Sequence, residues 1–153
     1  MNSQIVTDMD LEERRWVASD RSTPADALEV LANDEDEWVR RWVANNPRTP
    51  EDALKVLADD EDVSVRREVA DNPNTPADTL KVLATDEDGV RYRVASNRST
   101  PEDALKVLAT DEDVYVRGEV AANPNTPADA LKVLAMDKDV TVRARVAYNP
   151  NFK

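Results

Sequence analysis

Apolar residues in this chain fall into two alternating patterns, separated by short polar stretches. Residues 63–71 place Val65, Val69 and Ala70 at i, i+4 and i+5, one face of a helix. Residues 76–84 carry Leu80, Val82, Leu83 and Ala84, with Lys81 the one interruption, so a second helix is predicted to be apolar on most sides and covered on most sides. Asp62 is placed to cap the first helix. Asn72-Pro73 ends it, because the residue before a proline is pushed out of the helical region. Thr75-Pro76 opens the second helix, with Thr75 as the expected N-cap and Pro76 at the first helical position. Helices of about ten residues are marginal alone in water, so stacking must stabilise them.

The pair recurs along the whole chain. Thr-Pro ends at Pro24, Pro50, Pro76, Pro101 and Pro127, with spacings of 26, 26, 25 and 26 residues. Val-Ala keeps the same step at Val17, Val43, Val69, Val94, Val120 and Val146. Such a period predicts an all-α solenoid of short paired helices, five full units plus a sixth first helix, in one repeat domain spanning 1–153. The first helices are expected near 11–19, 37–45, 63–71, 89–96, 114–122 and 140–148. The second helices are expected near 24–33, 50–58, 76–84, 101–109 and 127–135.

The pattern V-R-x-x-V-A-x-N-P-x-T-P-x-D-A-L-x-x-L-A-x-D-x-D resembles the leucine-rich repeat variant family. Its best copies are Val39–Asp62, Val65–Asp88 and Val116–Asp139. The resemblance implies a right-handed α-solenoid without the strand of ordinary leucine-rich repeats, loosely similar to HEAT and armadillo arrays. It implies no common catalytic activity. Two departures stand out: Asp88-Gly89-Val90 is one residue short against Asp62-Val63-Ser64-Val65, and Glu13 replaces the usual Val in the first unit.

Comparing the repeats separates fixed columns from variable ones. Arg14, Arg40, Arg66, Arg91, Arg117 and Arg143 form a fixed column. It is read as an internal ladder of ion pairs with Asp26, Asp52, Asp78, Asp103 and Asp129 or with the acidic turns; the alternative is an anion-binding stripe. Asn46, Asn72, Asn97, Asn123 and Asn149, with Asp20 first, form a second structural column. Lys55, Lys81, Lys106 and Lys132 form an exposed row, expected to pair with Glu51 and Glu102 at i,i+4. The variable positions lie on the outer face of the first helices. Trp16, Trp38, Arg41, Trp42, Tyr92, Tyr115, Arg145 and Tyr148 are the partner-binding candidates there, since Trp, Tyr and Arg are the usual interface anchors. The alternative is that Trp16 and Trp42 lie flat on neighbouring helices as packing.

Charge and chemistry narrow the function. With 20 Lys+Arg against 32 Asp+Glu the net charge is −12, which disfavours nucleic acid as a partner. There is no Cys and no His, which removes disulfides, Cys-ligated metal centres, thiol nucleophiles and a His base. Acidic turns such as Asp86-Glu87-Asp88 match only the opening of a calcium loop, so no metal and no cofactor is expected. No secretory leader or membrane span is read, and a cytoplasmic location is the default expectation. A non-catalytic scaffold for protein–protein interaction is the leading reading. The alternatives are an acidic DNA mimic or other nucleic-acid-related protein, or an engineered consensus scaffold without a native partner. The last first-helix, with Val142, Val146 and Ala147, lacks a following second helix, so weak self-association through the C-terminal end is also expected.

Overall fold

A computed structural model describes residue 6 and residues 8–153. Among them are eleven helices, and no strand. The first helices are α1 (Leu11–Ser19), α3 (Glu37–Asn45), α5 (Val63–Asp71), α7 (Asp88–Ser96), α9 (Val114–Ala122) and α11 (Val140–Tyr148). The second helices are α2 (Ala25–Leu31), α4 (Glu51–Leu57), α6 (Ala77–Leu83), α8 (Glu102–Leu108) and α10 (Ala128–Leu134). The chain is a helical repeat solenoid, and its helices group into two compact units, Met1–Pro76 and Ala77–Lys153.

In the first unit α1 packs on α3 and α3 on α5, while α2 meets α4 less extensively. In the second, α7 packs on α9 and α9 on α11, with α6 against α8. Short side chains make the close first-helix stacking possible. Val39, Val43 and Ala44 of α3 are buried, as are Val65, Val69 and Ala70 of α5 and Val116, Val120 and Ala121 of α9. The second helices supply the larger groups: Leu54 and Leu57 from α4, Leu105 and Leu108 from α8.

Helix starts follow the sequence expectation for the first helices. The carboxylate of Asp62 accepts from the Ser64 N–H, and that of Asp113 from Tyr115 and Val116. Asp10 and Glu13 form a reciprocal capping box at α1. Where the turn is one residue short, α7 begins at Asp88 after Glu87, which makes no side-chain cap.

Two local expectations are corrected. Threonine does not cap the second helices. Pro50, at φ −69° and ψ 155°, is itself the extended residue before α4, and no side chain caps that end. The hydroxyl of Thr49 instead donates back to the Val43 carbonyl at 2.5 Å, and Thr126 does the same to Val120 at 2.6 Å. Thr therefore adds a second donor to a last-turn carbonyl of the preceding first helix, which the N–H of the asparagine three residues on already reaches. The second helices are also not covered on most sides. Val82 is 61% exposed, and Val56, Val107 and Val133 are exposed likewise. At 100° per residue Val56 lies roughly 200° round the helix from Leu54, on the side away from the core.

In the sequence Ile5 and Val6 stand where Leu31 and Ala32 stand one unit later, which predicts a vestigial second helix before α1; the Val6 side chain is buried. Ile5, the other residue of that expectation, lies outside the described residues.

Candidate interaction surface

The fixed columns are consumed internally. Asn46 donates its amide to the carbonyls of Ala18 and Asp20, both at 3.0 Å, and Asn72 donates to Ala44 and Asn46 at 2.7 and 3.0 Å. In the second unit Asn123 reaches Ala95 and Asn97, and Asn149 reaches Ala121 and Asn123. Each Asn side-chain oxygen also accepts the N–H two residues on, as Asn123 does from Asn125. Asp20 in the first unit has no amide to donate. Its carboxylate accepts from the Ser22 N–H and hydroxyl, which hold it below the usual carboxylate range.

Arg14, Arg40, Arg91 and Arg117 of the arginine column pair with the acidic turns and not with the Asp26–Asp129 row, while Arg143 donates to the carbonyls of Asp137 and Lys138. Arg14 binds Asp34 and Arg40 binds Asp60 in the first unit. Arg91 binds Asp111 and Arg117 binds Asp137 in the second. Each pair is two-pronged, with Arg40 Nε and Nη2 at 2.6 and 3.0 Å from the two Asp60 oxygens. The remaining nitrogen turns back: Arg40 Nη1 donates to the Asp34 carbonyl at 2.9 Å. One guanidinium thus ties the turn before its own helix to the turn of the next repeat. The lysine row takes the Asp positions instead. Lys55 pairs with Asp52 at 2.8 Å, Lys81 with Asp103 at 3.0 Å and Lys106 with Asp129 at 2.8 Å. The Lys81 and Lys106 pairs span consecutive repeats, and the partners are aspartates where the sequence pointed to Glu51 and Glu102.

The acidic turns hold no converging ligand set. Among the described residues no group of three or more carboxylates is arranged to hold a metal ion. In each of the Asp34, Asp60, Asp111 and Asp137 turns the first carboxylate is already engaged by arginine, and the third caps a helix.

The variable columns face outward. Trp16 is 66% exposed and Trp42 44%, so both rings are partly packed and partly open, between the two readings of the sequence. In the first unit Trp38, Arg41 and Trp42 come together with Asn45 and Glu68 around a depression of about 210 Å³. Arg41 Nε and Nη2 sit 3.1 and 3.0 Å from Glu68 Oε1, and Asn45 donates to Glu68 Oε2 at 2.8 Å. The Arg41 guanidinium lies over the Trp38 ring, 5.4 Å from its centroid. Trp16 is not among the residues lining this depression; its neighbour Arg15 is turned to Asp36 and Glu12.

In the second unit Tyr92 and Arg145 both reach Glu119, at 3.3 and 2.7 Å. Arg145 also lies across Gly118, where a Cβ would stand 3.5 Å from its Nη1. Tyr115 and Arg145 line a second depression of about 230 Å³ with Val114, Asp139, Thr141 and Val142. Tyr148 is exposed and stands outside it. Glu68 and Glu119 are the organising groups that the sequence did not single out. Their signal was position: they alternate with Trp16, Trp42, Arg93 and Arg145 in one variable column.

Comparison with known proteins agrees with this architecture. The family model for the leucine rich repeat variant matches residues 37–62, 64–88 and 116–139. A solved structure described as a leucine-rich repeat variant with a novel repetitive structural motif is 32% identical. The alignment covers 96% of this chain and 59% of that one, with a TM-score of 0.70, so the chain spans about three-fifths of that protein's length. An engineered protein is 21% identical, with 96% of this chain and 94% of that one covered at a TM-score of 0.48. A designed armadillo repeat protein in complex with the peptide (KR)4 is 16% identical, with 94% of each chain covered at 0.49. No curated protein sequence matches. No helix among the described residues is long and apolar enough to cross a membrane. The matched repeats, their period of about 26 residues and the likeness to a solved member make this chain an α-solenoid of the leucine-rich repeat variant family.

Proposed function

We propose that this chain is a non-catalytic scaffold for protein–protein interaction, and that the partner is read by the outer face of the first helices. One observation carries the reading: the columns that repeat are spent on holding the array together, while the columns that vary present Trp16, Trp38, Trp42, Tyr115 and Tyr148 exposed. Solenoids make partner surfaces in this way, with a fixed core and a varied face. Large aromatics at partly open positions are the groups from which binding energy is drawn. The acidic-mimic alternative loses ground because Asp34, Asp60, Asp111 and Asp137 are each neutralised by an arginine.

Affinity capture with variants tests the reading. Trp16→Ala, Trp42→Ala and Tyr115→Ala together should abolish retention of a bound protein. Glu35→Gln, Glu61→Gln and Glu112→Gln together, on the acidic turns, should preserve it. The reverse outcome would move the partner surface to the acidic edge.

A further inference from the structure

Trp38 stands between two depressions on the first unit. The larger is the Trp38–Trp42–Glu68 cleft; the smaller, about 80 Å³, is lined by Glu37, Trp38, Arg41, Asp62 and Ser64. Together the two hold three carboxylates, Glu37, Asp62 and Glu68, against one cation, Arg41. That cation is already committed to Glu68. Glu37 is exposed and forms no ion pair among the described residues. Asp62 is ionised, held below the usual carboxylate range by the Ser64 N–H. The aromatic surface here accepts cations, as Arg41 over Trp38 shows.

We propose that this face takes a lysine- or arginine-bearing stretch of the partner protein, with the side-chain stem on Trp38 and Trp42 and the charge at Glu37 and Asp62. The inference rests on the outer face being the partner surface and adds the chemistry of what docks there. A wholly apolar partner would strip water from Glu37 and Asp62 without replacing it, which is unfavourable. An acidic partner would meet three carboxylates and a net charge of −12. A basic side chain satisfies both the rings and the carboxylates. The corresponding depression in the second unit is lined by one acid, Asp139, and one base, Arg145, so it has no such preference.

The test uses three capped twelve-residue peptides without aromatic residues, built on Ala and Ser with Lys/Arg, Gln or Glu at alternate positions. Binding is read from the protein's tryptophan fluorescence and by calorimetry. The Lys/Arg peptide should bind best. Its affinity should fall about fivefold with Trp42→Ala, which removes one ring from under the side-chain stem, and similarly with Glu37→Gln. Glu112→Gln, an equal charge change in the other unit, should leave it unchanged. Glu37→Gln alters an exposed side chain, so it keeps the test decisive if Trp42→Ala lowers stability. A Gln peptide that binds as tightly, and still responds to Trp42→Ala, would overturn the basic preference while leaving the partner surface in place. Basic-peptide binding indifferent to both substitutions would be net-charge attraction only and would overturn the inference and count against the surface itself. No binding of any peptide overturns the inference.

Discussion

Arg117 and Asp137 enclose each other: Nε lies 2.6 Å from Oδ2, and each side chain is only 7% exposed. The same guanidinium reaches the carbonyls of Asp111 and Glu112 at 2.8 and 2.9 Å, so it fills the space between two turns. Removing the cation leaves a nearly buried carboxylate without its partner. Arg117→Ala should therefore lower unfolding free energy by about 3 kcal/mol, at the lower end for breaking a buried pair. Chemical denaturation measures this. If stability holds and partner binding fails, the arginine column is a binding stripe and the fixed and variable columns must exchange roles.

The asparagine column should be less tolerant than its exposed neighbours. Asn123 donates to two carbonyls of the preceding repeat, those of Ala95 and Asn97. Asn123→Ala leaves both acceptors without that donor, at a cost of about 2 kcal/mol or more. Asn123→Asp should be worse at pH 7, where it sets a carboxylate against two carbonyl oxygens, and should partly recover near pH 5 as protonation restores one donor. Equal melting of the Asp variant at both pH values would contradict this account.

Acid should unfold the array through specific carboxylates. Asp36 is held below its ordinary range first by Arg15, and Asp137 first by Arg117. Asp62 and Asp139 are held down by the backbone N–H groups they cap. A folded-state pKa below the unfolded value, near 3.9, contributes stability that is complete above that value and is lost as pH falls through the folded one. The melting temperature should thus change little from pH 7 to pH 5 on account of these groups and drop steeply below about pH 4. A flat profile to pH 2.5 would remove the carboxylates from the stability account.

The exposed valine row offers a contrast. Val107 is on the open side of α8, whereas Leu108 beside it is buried. Val107→Thr should stay within about 0.5 kcal/mol of the parent. Leu108→Ala should cost about 2–5 kcal/mol, transfer plus cavity. Similar losses at both positions would mean that the second helices are covered after all.

The architecture was readable because several local signals agree at one period. Asn-Pro stops a helix, Asp caps the next, and Val-Ala marks the inner face at the same step. Details governed by contacts between repeats were harder to read. Thr-Pro looks locally like a cap; only the folded turn shows the Thr49 hydroxyl directed to Val43. Two aspartate rows were open to the arginine column, and the choice depends on stacking offset, which places Asp60 and not Asp52 beside Arg40. The exposure of Val82 was available from helical angle, but the density of apolar letters around it obscured that. On the outer face the aromatics were conspicuous because there are few of them. Glu68 and Glu119 were two among 32 acids, and only their shared contacts with Arg41, Tyr92 and Arg145 set them apart.

The asparagine bonds also have a direction. Asn72 donates to the carbonyl of Asn46, whose own amide donates to Asp20; Asn149 donates to Asn123, which donates to Asn97. Every link runs from the later repeat to the earlier one. Each repeat in these runs therefore offers acceptors forward and donors backward, like identical couplings on rolling stock. A copy inserted between two such repeats would find both of its ends already matched. Gene duplication could lengthen the array while leaving the existing joints chemically unchanged, and the outer columns of the new copy would be free to diverge toward a different partner.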